Sequence, residues 1–128
     1  MARDLTVRLA EDRPGALAAL VETVTRAGLN IDGLAEIEGA VHLIVNHATD
    51  ARRILRAAGY ALEDEREVVV ITLPDRPGEL SMVLRRLAEA NVNVRFLYLA
   101  TGTRVVVGSD DVVTTRQVLA GYRPSSPN

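Results

Sequence analysis

Cysteine and tryptophan are both absent from this 128-residue chain, and only 3% of its residues are aromatic. Without cysteine, the chain has no disulfide bonds, zinc–cysteine centres or thiol chemistry. A core without tryptophan must be built mainly from Val, Leu, Ile and Ala. Apolar residues make up 48% of the chain, which is enough for a packed core and argues against disorder.

An excess of positive charge and long apolar runs are lacking as well. The formal net charge is -2, which argues against nucleic acid as a partner because Lys and Arg drive phosphate binding. No stretch reaches the roughly 20 apolar residues that span a bilayer. No apolar signal-peptide segment follows the charged first residues. We therefore expect a cytoplasmic protein with no membrane partner.

What the sequence does contain is an internal repeat. Asp12-Arg13-Pro14-Gly15 recurs as Asp75-Arg76-Pro77-Gly78, and Leu29-Asn30-Ile31 recurs as Val92-Asn93-Val94. The later Ala-Gly-Tyr at 58–60 also returns, at 120–122. These matches indicate two copies of one unit. We place the units at residues 1–66 and 67–122, with a C-terminal tail at 123–128.

Each unit has the pattern of a β-α-β-β-α-β fold. Alternating apolar residues over 4–10 predict a half-buried strand, and a helix with one apolar stripe is predicted over 14–27 because proline suits the first helical position. The second unit repeats this order, with its first helix over 77–90. Only a short tail follows Tyr122, so its last strand should be missing or very short. The predicted fold class is α+β: two ferredoxin-like units with antiparallel sheets, the second lacking its last strand.

The junction between the units contains no glycine or proline over 60–73. It therefore predicts one long or kinked extended segment. A missing last strand would leave the strand at 68–73 with an open apolar edge, and such edges invite pairing. We expect a homodimer that pairs these edges.

These features resemble the ACT family. The resemblance runs from about Leu5 to Gly121 and rests on a strand, then Asp-Arg-Pro-Gly, an apolar helix, and Asn-Ile or Asn-Val opening the second strand. In regulatory ACT domains, such as those of phosphoglycerate dehydrogenase and aspartokinase, an Asn or Asp before the Pro-Gly and an Asn opening the second strand contact a bound amino acid. The chain is similar to stand-alone tandem ACT proteins, which implies a regulatory protein that binds a free amino acid.

The chemistry of these residues suits a zwitterion. The N-terminus of the first helix offers unpaired amides and a positive dipole end, with Gly15, Ala16 and Leu17 as donors. Asp12 could take the ammonium, and Asn30 can donate or accept. The predicted ligand-binding set is Asp12, Pro14, Gly15, Ala16, Leu17, Asn30 and Ile31 in the first unit, and Asp75, Pro77, Gly78, Glu79, Leu80, Asn93 and Val94 in the second.

The same residues also admit an interpretation without a ligand. Asp followed by Arg-Pro-Gly forms a good turn by itself, and Asn at a helix-to-strand junction can satisfy the turn backbone. The second unit carries the bulky Arg95 and Phe96 beside its Asn, so occupation of the first unit alone is a further alternative.

No pattern supports a cofactor, a metal site or an enzyme. His42 and His47 are the only histidines, and there is no nucleophile–base spacing, phosphate loop or dinucleotide fingerprint. Phe96 and Tyr98 share a strand face, as in RNA-recognition motifs, but Leu34 stands at the matching place in the first unit and the chain is acidic.

Two functions follow. One is a regulatory module that binds a free amino acid at the first-strand-to-first-helix loop, against the second strand of a neighbouring ACT unit, and signals through assembly to an enzyme or transcription regulator. The other is a ligand-free module for protein–protein interaction or dimerisation.

Overall fold

The structure is a computed structural model that describes residues 2–124. It divides into two compact units. One comprises Arg3–Arg66 and the other begins at Glu67 and includes Ala2. We call them the N-terminal and C-terminal units. Among residues 2–124, no helix has the length and apolarity needed to cross a membrane.

The N-terminal unit contains six elements in the predicted β-α-β-β-α-β order. Its four strands form one sheet in the order β2-β3-β1-β4, in which β3 pairs antiparallel with both β1 and β2. The elements are β1 Arg3–Arg8, α1 Ala16–Arg26, β2 Ile31–Ile37, β3 Ala40–Val45, α2 Ala48–Ala57 and β4 Ala61–Glu67.

The core of the N-terminal unit lies between this sheet and its two helices. Leu5 and Val7 alternate along β1 and face Leu20 and Val24 of α1, and all four are fully buried. Leu55 of α2 joins the same cluster. Strand alternation and the helical stripe therefore meet on one face, as their periodicities predict.

The C-terminal unit repeats this order with a shortened end. Its sheet has the order β6-β7-β5-β8, and β7 pairs antiparallel with β5 and β6. A second apolar cluster, centred on β5, β7 and α3, forms its core. The elements are β5 Val69–Thr72, α3 Glu79–Glu89, β6 Val94–Ala100, β7 Arg104–Ser109, α4 Val112–Val118 and β8 Arg123–Pro124.

The last strand of the C-terminal unit is very short, one of the two outcomes predicted for it. β8 has two residues, and its Arg123 and Pro124 pair with Thr72 and Ile71 of β5. The edge predicted to be open over 68–73 is therefore covered by β8 at two positions, and the homodimer expected to pair there stays a prediction. The rest of the predicted tail, 125–128, lies outside the described residues.

Two helix starts differ from the prediction. The helices expected to begin at Pro14 and Pro77 begin at Ala16 and Glu79. The reason is Gly15, whose φ of 88° is left-handed, as is that of its counterpart in the second repeat. A left-handed residue cannot belong to a right-handed helix, so each helix starts one residue after its glycine.

Candidate functional site

The β1–α1 loop is closed by a tight turn. The amide of Ala16 donates to the carbonyl of Arg13 at 3.1 Å, and Gly15 occupies the third turn position with φ 88° and ψ -13°, the geometry of a type II turn. The C-terminal unit has the same turn, in which the amide of Glu79 donates to the carbonyl of Arg76 at 3.3 Å.

This turn engages one of the predicted amide donors. The amide of Ala16, predicted to bind a ligand, is already engaged by the turn. Within residues 2–124, no group accepts a hydrogen bond from the backbone amide of Gly15 or from that of Leu17. The first turn of α1 also contains no acidic residue. The start of α1 thus keeps two of the predicted donors at the positive end of the helix dipole.

Asp12 and Asp75 are exposed and do not close these turns. Within the described part of the chain, no group donates a hydrogen bond to either carboxylate. The turns depend instead on the proline and glycine that follow. The interpretation in which Asp12 is needed only for the turn therefore lacks the hydrogen bond it requires.

Asn30 and Asn93 follow the first helix of each unit, and both are exposed. The amide of Asn30 donates to the side-chain oxygen of Asn46 at 3.1 Å, and the amide of Asn46 donates back to the carbonyl of Asn30 at 3.3 Å. In the C-terminal unit, Asn93 and Asp110 make the same two bonds at 3.1 Å. We call this paired arrangement the junction clamp.

The junction clamp uses the backbone of Asn30 and Asn93 and leaves their side chains outside it. The side chain of Asn30 donates to Asp32 at 2.8 Å on the surface. The side chains that satisfy the junction backbone are those of Asn46 and Asp110, which are not among the predicted site residues. The clamp therefore gives no structural reason for an asparagine at positions 30 and 93.

The register of the sheet places the two groups of predicted residues at opposite ends of the N-terminal unit. β1 ends at Arg8, which pairs with Ala40 at the start of β3. β2 begins at Ile31, which pairs with Val45 at the end of β3. The β1–α1 loop and the α1–β2 junction are thus separated by the length of β3, roughly 17 Å at about 3.4 Å per residue. No single amino acid bridges both groups within one unit.

The apolar members of the predicted set contribute to the cores. Leu17 and Ile31 pack against the core of the N-terminal unit, and Leu80 and Val94 against that of the C-terminal unit. Because their side chains are partly buried in the cores, these residues would contact a ligand chiefly through their backbone atoms. Pro14, Pro77 and Gly78 lie exposed in the two turns.

A pocket of about 270 Å³ opens beside the start of α1 in the N-terminal unit. We call it the α1 pocket. Its polar rim is formed by Glu11 and Arg13, whose side chains bond to each other at 2.6 Å. Its remaining walls are formed by Leu9, Ala10, Ala16, Ala19 and Tyr60.

Of the predicted site residues, only Ala16 lines the α1 pocket. One sequence signal pointed to another residue of this pocket: the repeated Ala-Gly-Tyr, whose first copy ends at Tyr60. In the C-terminal unit the positions of Ala16 and Ala19 are taken by Glu79 and Met82. The two copies therefore share their turn but differ in the side chains beside it.

Two carboxylates outside the loop have lowered pKa values. Partial burial acts to raise the pKa of Glu65, but hydrogen bonds and charge from Arg52 and Arg3 outweigh it, so the net pKa lies below its ordinary value. Hydrogen bonds from the side chain and backbone of Thr114 lower the pKa of Asp111, which is the N-cap of α4. Both shifts arise from bonds that support the fold.

Two further features concern a metal site and an RNA-binding surface, both of which the sequence argues against. Among residues 2–124, no group of three or more His, Asp or Glu side chains is arranged to hold a metal ion. Phe96 and Tyr98 do stack, with ring centroids 6.1 Å apart. However, Tyr98 is only 9% exposed, so the pair is not an open platform for base stacking.

Comparisons with known proteins give matches in structure only, since no family model and no curated protein matches the chain. Protein BT0572 from Bacteroides thetaiotaomicron superposes with a TM-score of 0.85 and 25% identity, over 98% of this chain and 92% of that one. The ligand-free regulatory subunit of aspartate kinase from Thermus thermophilus gives 0.67 and 15%, over 93% and 90%. E. coli aspartokinase III in complex with lysine and aspartate gives 0.57 and 18%, over 91% and 29%. The tandem fold predicted from the sequence is confirmed.

Proposed function

We propose that this chain, a tandem ACT-domain protein, is a regulatory module that binds a free amino acid and signals through a change in assembly or partner binding. The β1–α1 loop would hold the ligand, and the start of the second strand of a neighbouring ACT unit would complete the site. Two solved structures with this fold, a regulatory subunit of aspartate kinase and an aspartokinase bound to lysine and aspartate, fit this role.

The observation that carries the proposal is that neither the turns nor the junction clamp uses the repeated polar side chains. Asp12 is unnecessary for the turn that follows it, and the side chain of Asn30 lies outside the junction clamp. The same is true of Asp75 and Asn93. Exposed polar side chains that recur in both copies, and that neither the turn nor the clamp requires, are suited to a ligand.

The ligand chemistry follows from what remains free. The amides of Gly15 and Leu17 suit a carboxylate at a helix N-terminus, and the carboxylate of Asp12 suits an ammonium. Charge-assisted bonds of this kind contribute roughly 1.5–3 kcal/mol each. Two or three of them, less the cost of ordering the ligand, correspond to micromolar to millimolar affinity.

The requirement for a neighbouring unit links binding to signalling. Since Asp12 and Asn30 lie at opposite ends of their unit, a ligand that uses both kinds of side chain must bring two units together. Such a ligand favours the assembled state by its difference in affinity between the two states. The regulated target would be an enzyme or a transcription regulator.

The test is a thermal-shift screen of the purified protein against the twenty amino acids at about 10 mM. A ligand at 100 times its dissociation constant adds about 2.7 kcal/mol of stability, a shift of several degrees for a chain of this size. We expect one related group of amino acids to raise the midpoint, and Asp12→Ala with Asn30→Ala to abolish the rise.

The matched control is Asp75→Ala with Asn93→Ala in the C-terminal unit. Loss of the response in this control alone would move the site to that unit. If all twenty amino acids leave the midpoint unchanged, the proposal fails. Sedimentation velocity with and without the active amino acid then tests the signalling step, for which we expect a change in sedimentation coefficient.

The alternative is a ligand-free interaction module. Exposed apolar side chains on edge strands favour it: Ile37 at the end of β2 is 71% exposed and Leu99 on β6 is 66% exposed. Edge strands with such exposed apolar side chains are typical of protein-binding surfaces. This function would leave the thermal-shift screen unchanged, while Ile37→Lys or Leu99→Lys would weaken association.

A further inference from the structure

The α1 pocket bears on which amino acids the proposed site accepts. We infer that this pocket receives the side chain of the bound amino acid and selects an uncharged, apolar side chain. The inference rests on the proposed function and specifies which class of amino acid the same loop accepts.

The size of the pocket sets the first limit. Its volume of about 270 Å³ equals that of about nine water molecules at about 30 Å³ each. A leucine or methionine side chain fits within this volume, so size excludes none of the aliphatic side chains. Because Ala16 lines the pocket and also begins α1, a ligand held at the start of the helix can direct its side chain inward.

The walls set the second limit. Leu9 and Ala19 are apolar, and the ring of Tyr60 packs against the core of the same unit. The charges at the rim are mutually compensated, since Arg13 donates to Glu11 at 2.6 Å. A charged ligand side chain would find no free counter-ion on these walls, and its desolvation would oppose binding.

The internal repeat supplies variants that the fold already tolerates. Ala19 is exposed, and its counterpart in the C-terminal unit is Met82. Ala19→Met therefore narrows the pocket with a side chain that the same scaffold carries elsewhere. Ala18→Met is the matched control, because Ala18 lies on the same helix, is exposed and does not line the pocket.

The experiment repeats the twenty-amino-acid screen on the wild-type chain, Ala19→Met and Ala18→Met, with dissociation constants from titration calorimetry. Expected are midpoint shifts with leucine, isoleucine, valine or methionine and none with lysine, arginine, aspartate or glutamate. In Ala19→Met the affinity should fall about tenfold, which corresponds to about 1.4 kcal/mol. In Ala18→Met it should match the wild type.

The outcomes separate this inference from the proposed function. If charged amino acids bind best, or if Ala19→Met binds as tightly as Ala18→Met, the α1 pocket is not the selective element, although the chain still binds an amino acid. If no amino acid binds the wild type, both fail. Methyl NMR of alanine-labelled protein gives an independent measure, in which the added amino acid should shift the Ala16 and Ala19 signals and leave Ala18 unchanged.

Discussion

Gly108 on β7 tests the register of the C-terminal sheet, because its partner on β6 is Phe96. A Cβ atom at position 108 would lie 2.3 Å from Cζ of the Phe96 ring and 2.5 and 2.6 Å from its two Cε atoms. Ordinary contacts begin near 3.4 Å. The ring therefore lies over the glycine and must move if alanine is introduced.

The cost of Gly108→Ala has two opposing parts. Displacing the ring disturbs its stacking on Tyr98, where such pairs contribute about 0.5–1.5 kcal/mol, and overpacking costs about 1–3 kcal/mol. Alanine is favoured over glycine within a strand by about 0.5–1 kcal/mol. The expected net loss in the free energy of unfolding is about 1–2 kcal/mol.

The sign of this effect should reverse when the ring is removed. In a Phe96→Ala background the added methyl group meets no ring, so Gly108→Ala should become neutral or stabilising by about 0.5 kcal/mol. Urea unfolding of the four proteins in this double-mutant cycle gives the coupling energy, for which we expect about 2 kcal/mol. Gly121→Ala is the control, since a Cβ at that position meets no atom within 4 Å. Additive effects of the two substitutions would refute the Phe96–Gly108 pairing.

Two further predictions concern stability in the N-terminal unit. Because Arg52 and Arg3 lower the pKa of Glu65 in the folded state, its stabilising contribution is present above the unfolded pKa and is lost as the pH falls through the folded pKa. Glu65→Gln should therefore lower the free energy of unfolding at pH 7 by up to about 1 kcal/mol. The difference between variant and wild type should shrink below about pH 4.5. Chemical denaturation measures it, and a difference that stays constant from pH 7 to pH 3 would contradict this. In the junction clamp, Asn46→Ala should lower the free energy of unfolding by about 1 kcal/mol, because it removes a side-chain bond of the clamp. Asn30→Ala should lower it by less than about 0.5 kcal/mol, because the clamp uses only the backbone of Asn30. Equal losses on urea unfolding would show that the Asn30 side chain supports the fold.

Most of the fold could be predicted from the sequence because its signals are local and occur twice. Alternation along β1 and the helical stripe of Leu20 and Val24 fix the elements and the faces they bury. The predicted helix starts were two residues too early, because Pro14 permits a helix but the left-handed φ of Gly15 delays the start to Ala16. The two-residue β8 was equally hard to specify, because it depends on pairing with β5 and not on any pattern of its own.

The site could be predicted in its residues but not in its arrangement. The repeated motif identifies Asp12 and Asn30, but it does not indicate how far apart they lie. Their separation arises because α1 carries the chain back along the sheet before β2 begins. The junction clamp was missed for a similar reason. Asn46 and Asp110 follow β3 and β7, and only the sheet register brings them to the backbone of Asn30 and Asn93.

The difference between the two units lies in the first turn of their first helices. In the C-terminal unit, Glu79 places a carboxylate in the first turn of α3 and bonds to Arg76 at 2.6 Å, so that the helix compensates its own positive end. The N-terminal unit has Ala16 at that position, and its first turn contains no acidic residue. A free amino acid would bring to α1 the carboxylate that α3 already carries. Its side chain would have room beside Ala19, where the second copy has the larger Met82. Under the proposed function, the N-terminal loop is therefore the better candidate for the ligand, because the C-terminal loop already carries a carboxylate of its own.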